Sequence, residues 1–307
     1  MQSTNTILMI EPVAFGYNAQ TAVNNYFQNN ASNEETQLKA LQEFKELVEK
    51  LRSKGIQVIT VQDTLSPHTP DSIYPNNWVS FHQDGRVSLF PMFAENRRTE
   101  RREDILYRLR EEGFEVGVVK DYSDYELENK YLEGTGAMIL DRENRIAYGA
   151  ESIRLNKEVF EKWCEDFGYR PVLFKAFQSI DGKRLPIYHT NVMMGLGADY
   201  AIICLDTIDD EEERKNVIQN LEATHKEIIE ISEEQMNRFA GNMLEVQNNK
   251  GEKFLVMSAA AYKSLTPAQI QRIETHAEII YSDVHTIEEN GGGSVRCMMA
   301  EVFLPKK

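Results

Sequence analysis

Apolar and polar positions along this chain follow two periods in a fixed succession that recurs five times. Short apolar runs entered through Gly- or Asn-containing turns (PNNWVSF, LEGTGAMIL, YHTNVMMGL, FAGNMLEV and GSVRCMMAEVF) predict five strands. A second strand follows four of them, in RVSLFP, RIAYGA, YAIICLD and KFLVMS. A charged helix comes next. In QEFKELVEKLRSKG the apolar residues Phe44, Leu47, Val48 and Leu51 recur at i, i+3, i+4 and i+7, which gives a helix one buried face. Gly55 stands where a helix-ending glycine belongs. A β-branched strand closes each unit. Residues 34–54 lead to IQVITV, 99–113 to FEVGVVK, 156–168 to YRPVLFK, 209–224 to KEIIEI and 266–276 to AEIIYS. The fifth unit lacks its second strand, and TILMIEP (residues 6–12) is available to supply it between the two ends of the chain.

Within the five turns, Asn77, Glu133, His189, Asn242 and Cys297 fall 53 to 56 residues apart. A constant period of this length marks repeated supersecondary units that need their neighbours to bury an apolar face. Five units closing around an axis would bring these five residues to one centre. A cysteine and a histidine among them make that centre a candidate active site.

Composition narrows the partners. The net charge of −15 opposes a phosphate-backbone partner, since nucleic-acid binders present a basic stripe. Most of the acid falls on predicted outer helices, in runs such as SNEET and DDEEER, where a solvated face accounts for it. No apolar run approaches a membrane span and no basic leader precedes one, so a cytoplasmic location without membrane contact is expected. The 307 residues carry no Pro/Ser-rich linker, which predicts one domain over residues 1–307. Three widely spaced cysteines give neither a disulfide framework nor a zinc spacing, and no metal or organic cofactor is expected.

The three thiols differ in context. Cys204 lies inside an apolar strand and reads as an inert core thiol, and Cys164 sits among carboxylates that would raise its pKa. Cys297 follows Gly291, Gly292 and Gly293 and adjoins Arg296, a setting that favours the thiolate and close approach of a ligand. His189 and Asn191 are the polar members of an otherwise apolar, Gly-containing segment. Glu133 is an acid in an apolar-glycine context and needs a partner, either a histidine or a cationic substrate. Asn242 reads equally well as a turn asparagine.

These motifs together resemble the pentein, or guanidino-group-modifying, superfamily: arginine deiminases, dimethylarginine dimethylaminohydrolases and amidinotransferases. The likeness runs from ILMIEPVAFGYN to GGGSVRCMMAEVFLP and is nearest to the bacterial citrulline utilization hydrolases. It implies an α/β fold, a five-bladed pseudosymmetric propeller of ββαβ units. By position, Cys297 resembles the nucleophile, His189 the general acid and base, and Glu133 the carboxylate that pairs with the histidine or a substrate nitrogen. Asp71, Asn76 and Asn77 in PDSIYPNNW resemble the substrate-binding strand entrance. Arg98 and Arg154 resemble arginines that grip an amino acid's α-carboxylate bidentately. For Arg97 and Arg98 a solvated basic cluster with Arg101 and Arg102 remains the competing reading.

The departures bear on substrate. Arginine deiminases hold the guanidinium with two aspartates, and the matching positions here are Asn77 and Asn191. Amides suit a neutral ureido group, which offers a carbonyl acceptor and N–H donors, better than a desolvated cation. The expected function is hydrolysis of a linear C–N bond in a small amino acid, citrulline to ornithine first, through a covalent S-carbamoyl or thiouronium enzyme. Arginine or methylarginine hydrolysis, amidino transfer to an amine, and a non-catalytic binding role are the alternatives. The small amino acid is the expected partner, taken by a monomer or a homodimer.

Overall fold

The computed structural model describes residues 1–28 and 34–307, so Ser32 and Asn33 of the acidic SNEET run lie outside the described residues. Five three-stranded sheets and one hairpin make up the β-structure of the described residues. Each three-stranded sheet has a short strand antiparallel to a central one, which in turn pairs in parallel with a third. Parallel pairing needs a crossover, and the amphipathic helices supply it. Helix Lys157–Phe167 is the clearest case. Asn156 caps its start by accepting from the Glu158 and Val159 amides, Gly168 ends it at φ 71°, and Val159, Phe160, Trp163 and Phe167 turn inward.

The strand Thr6–Glu11 joins the two ends of the chain. It runs antiparallel to Ala300–Glu301, with Ile7 opposite Glu301, and parallel to Gln57–Gln62, with Ile7 opposite Val58. The strand that the sequence left missing from the fifth unit is therefore the N-terminal one.

Two elements differ from the sequence reading. In FEVGVVK only the end is regular strand, in Val119–Asp121, because the start of the run pairs elsewhere: Phe114 bridges Lys306 and the Glu115 amide donates to the Pro305 carbonyl. An unforeseen hairpin pairs Phe177–Ile180 with Lys183–Pro186. Its two-residue turn, Asp181-Gly182, has both φ angles positive (49° and 75°), the geometry for which Asp-Gly is favoured. No helix of the described residues is long and apolar enough to cross a membrane.

Candidate active site

Each unit presents its functional turn at the entrance to its first strand. Asn76 and Asn77 sit in the one-turn helix Pro75–Asn77, before strand Val79–Phe81. Glu133 and His189 occupy the N-cap positions of the one-turn helices Gly134–Ala137 and Thr190–Val192. Small residues let these turns approach one another. A Cβ on Gly136 would run into Asn77 Nδ2 and stand 3.0 Å from His189 Nδ1. A Cβ on Gly241 would overlap the Val192 carbonyl. Gly136→Ala is therefore expected to push the His189 ring or Asn77 aside and cost at least about tenfold in turnover, with Tm moving little. A steady-state assay alongside a thermal melt checks both.

The turns meet at Cys297. Its Sγ accepts from Asn191 Nδ2 and from Asn242 Nδ2, each at 3.3 Å. Asn242 also donates to the Asn191 carbonyl (3.1 Å) and accepts from the Arg296 backbone N–H (3.0 Å). The amide of Asn242, for which the sequence leaves a site role and a turn role equally open, thus ties three units together. Arg296 couples to Cys297 by charge through space, without a hydrogen bond to the sulfur. Its guanidinium is buried, donates to the Met299 carbonyl and pairs with Glu301 at 3.0 Å, so the hydrogen bonds on the sulfur come from amides. Burial pushes the Cys164 and Cys204 thiols up to about 12, as core thiols should be.

Glu133 is fully buried. Its Oε1 accepts from the Phe93 amide (3.0 Å), and its Oε2 lies 2.8 Å from His189 Nε2 and 3.5 Å from Arg154 Nη1. Burial alone would raise its pKa, but Arg154, His189 and Arg97 hold it down to about 2. Burial pushes the His189 imidazole down to about 4 even though Glu133 opposes the shift. A neutral imidazole at pH 7 that donates from Nε2 to Glu133 carries its lone pair on Nδ1, the form of a general base.

One cavity takes in Asp71, Asn77, Arg97, Arg154, His189 and Cys297. Asp71 accepts from Asn18 Nδ2 (2.8 Å) and Thr21 Oγ1 (2.9 Å), and its Oδ1 has no partner. Burial raises its pKa against the pull of Arg97. Arg154 donates to Asn24 Oδ1 (2.9 Å) and the Thr21 carbonyl (2.8 Å) and lies over the Tyr188 ring. Tyr74 and Tyr188 donate to carbonyls of the glycine run, at Gly293 and Gly292, and fix its path over the sulfur. The cavity is narrow: Thr21 and Asn25 line it, and their segment is tied down where Asn18 donates to Asp71 and Gln28 to the Gly291 carbonyl.

Three sequence assignments shift. Arg98 lies apart, donating to the Met92 carbonyl and facing Glu126 at 3.4 Å. Its neighbour Arg97 enters the site instead: it is buried, forked onto Glu100, and donates to Asn77 Oδ1 at 2.7 Å. The 3-10 turn Glu95–Glu100 decides between them, and nothing in NRRTE announces which arginine faces inward. Asn76 is buried behind Asn77, whose Nδ2 it accepts at 3.0 Å, and does not line the cavity. Asn191 likewise reaches the sulfur from behind it, with its Oδ1 unpartnered. Tyr74, Tyr188, Thr21 and Asn25 join the lining unannounced, since single aromatic and amide residues carry no spacing signal. Among the described residues, no group of three or more His, Cys, Asp or Glu could hold a metal ion.

A family model described as N,N dimethylarginine dimethylhydrolase, eukaryotic, matches residues 11–304. The chain belongs to that family. It is thus a guanidino-modifying pentein and a hydrolase of non-peptide C–N bonds. No curated protein matches. Among solved structures, the N-terminal domain of ArgZ, an arginine dihydrolase from the ornithine-ammonia cycle in cyanobacteria, superposes with TM-score 0.73 at 16% identity, over 98% of this chain and 99% of that domain. The chain spans only 41% of the ArgZ apo structure, at TM-score 0.74 and 16% identity. A dimethylarginine dimethylaminohydrolase captured as an adduct with S-methyl-L-thiocitrulline matches with TM-score 0.62 at 15% identity, over 97% of this chain and 99% of that one. At such identities these superpositions speak for the shared mixed α/β fold.

Proposed function

We propose that this chain hydrolyses a linear C–N bond of a ureido or guanidino group on a free α-amino acid, with citrulline cleaved to ornithine at the side-chain nitrogen as the favoured reaction. The observation that carries the ureido preference is the pair of amide N–H donors on Cys297 Sγ, with no carboxylate among the hydrogen-bond partners of that sulfur. Attack on a neutral ureido carbon develops an oxyanion beside the sulfur, where two N–H donors are complementary. A guanidinium substrate instead brings a positive charge into the site before attack, and that cation wants anionic neighbours.

The steps follow from the protonation states. His189, neutral in the free enzyme, takes the Cys297 proton as Sγ bonds to the ureido carbon. The imidazolium so formed faces the ionised Glu133. Collapse of the tetrahedral intermediate breaks the bond to the side-chain nitrogen, which takes the proton back from His189 and leaves as the ornithine amine. Water, deprotonated by His189, then displaces the sulfur from the S-carbamoyl enzyme and releases carbamate. Asp71 and Arg154 offer a carboxylate and a guanidinium to the ammonium and carboxylate of the amino acid. Both are occupied by Asn18, Thr21 and Asn24, so substrate entry displaces that segment.

This reading also takes the five like sheets as blades of a pseudosymmetric propeller, which accounts for turns far apart in sequence sharing one sulfur. A reactive thiol needs a reducing compartment, which suits the cytoplasm. A second reading, hydrolysis of arginine or a methylated arginine, draws on Asp71 in the cavity wall, on Glu133 buried behind His189, and on the arginine dihydrolase and dimethylarginine dimethylaminohydrolase among the similar structures.

Incubation with citrulline, arginine, methylated arginines and agmatine, following ornithine and ammonia, separates the two. The expected result is citrulline turnover exceeding arginine turnover. Asn191→Asp should move the ratio at least about tenfold towards arginine, equivalent to roughly 1.4 kcal/mol. It should also slow both reactions, since a carboxylate beside the sulfur opposes the thiolate. Asn77→Asp should barely move the ratio, because the new charge would fall on Arg97 Nη1, which already donates to that oxygen. A wild-type enzyme that prefers arginine would replace the first reading with the second.

A further inference from the structure

Arg142 differs from the other buried arginines. Arg97 and Arg154 each donate to several acceptors, and Arg296 donates to Met299 and Glu301. Arg142 is buried with its side chain 7% exposed; its Nε lies 3.4 Å from Glu301 Oε1 without forming a hydrogen bond, and its guanidinium lies over the Phe303 ring at 4.1 Å. Glu301 already holds Arg296 through its other oxygen at 3.0 Å. One carboxylate thus faces two guanidiniums, and part of their charge is unbalanced.

Arg142 lines a cavity with His82, Asp84, Arg145, Tyr169 and Phe303. Asp84 does not cancel the charge, since its carboxylate takes the Arg86 guanidinium at 2.8 Å and the pair is neutral. His82 is buried, 2.9 Å from Ser80 Oγ, and adds no negative charge. Arg145 is exposed and none of its charge is matched by an ion pair among the described residues. In a chain of net charge −15, this concentration of cations around a concave site is out of keeping with the rest of the surface.

Topology separates this cavity from the one at Cys297. Strand Val79–Phe81 starts beside Asn77 and ends at His82, and strand Met138–Asp141 starts beyond Glu133 and ends at Arg142. The two cavities therefore lie at opposite ends of the same strands. We infer that the Arg142–Arg145 cavity binds a small oxyanion of the phosphate class. A guanidinium fork takes two oxygens of such a group. The cavity is small and open on one side, so an ester substituent on the anion would point out through its mouth.

Calorimetric titration of the full chain with inorganic phosphate, and separately with glycerol phosphate, tests this at low ionic strength. Saturable one-to-one binding is expected, weakened at least about tenfold by Arg145→Ala and lost in Arg142→Gln, and unchanged in Arg154→Ala. Arg145 is exposed, so its variant keeps the test valid if Arg142→Gln fails to fold. Tighter binding of the monoester would assign the site to a phosphorylated metabolite, and tighter binding of phosphate to the free ion. Absence of saturable binding, or binding lost in Arg154→Ala and kept in Arg145→Ala, would overturn the inference.

Discussion

Cys297→Ala is expected to stop turnover, by roughly a thousandfold or more, while the protein keeps its fold. The sulfur is the point on which amides from two other units converge, and it lies in the cavity with His189. No other thiol can replace it, since Cys164 and Cys204 are buried and held in the thiol form by their surroundings. Removing the sulfur leaves the buried Asn191 amide donor without an acceptor, a cost of about 1–3 kcal/mol unless water enters, while Asn242 keeps the Asn191 carbonyl. Cys297→Ser keeps an acceptor for that donor and should recover that stability without recovering activity, because an alkoxide forms far less readily than a thiolate at neutral pH. Thermal melts and ornithine release separate the two quantities. Intact-mass spectrometry of the wild type during turnover should show the S-carbamoyl adduct. Near-normal activity in either variant would rule out covalent catalysis at this position.

Legibility from sequence divided along a physical line. Features written as periodicity came through: the amphipathic helix Glu34–Ser53, the parallel strands behind the helices, and the pairing of Thr6–Glu11 with Ala300–Glu301. The spacing of Glu133, His189 and Cys297 was legible because a repeat fixes where each turn falls. Asn242 fell on the same period but was discounted, since an asparagine in a turn has so many ordinary uses. Side-chain direction within an irregular turn was not legible. Arg97 and Arg98 are adjacent and chemically identical, and the backbone of Glu95–Glu100 alone decides that one forks onto Glu100 while the other turns to Met92. The direction of the Arg296 guanidinium is hidden for a related reason, although its charge still couples to Cys297 through space. Adjacency in sequence put a cation next to Cys297, but the guanidinium folds back onto Glu301, a partner five residues on. The covering segment from Asn18 to Gln28 was missed altogether, because it is irregular and its hydrogen bonds go to residues remote in sequence.

Glu133→Gln should lower kcat by roughly a hundred- to a thousandfold and change KM far less. Glutamine keeps the shape and an acceptor oxygen for His189 Nε2, but it removes the charge that balances the imidazolium formed when His189 takes the Cys297 proton. That charge matters most in the transition state, where it sits fully buried beside the ring. Stability should respond with a defined sign. The folded protein holds Glu133 at about 2, below its ordinary 4.5, so the stabilisation from its ionised form is fully present above pH 4.5 and is lost as the pH falls towards 2. His189, lowered by burial from 6.5 to about 4, works in the same direction, its contribution being complete above pH 6.5 and lost as the pH falls through 4. Urea denaturation at pH 7 should therefore find Glu133→Gln less stable than the wild type, and at pH 3 the gap should narrow. Glu133 also holds the imidazole up, so the pair is compared in a His189→Gln background, where the histidine no longer titrates. A gap that widened on acidification would mean that Glu133 is protonated in the folded protein at neutral pH. The ion pair with His189, and the general-base role that rests on it, would then have to be abandoned.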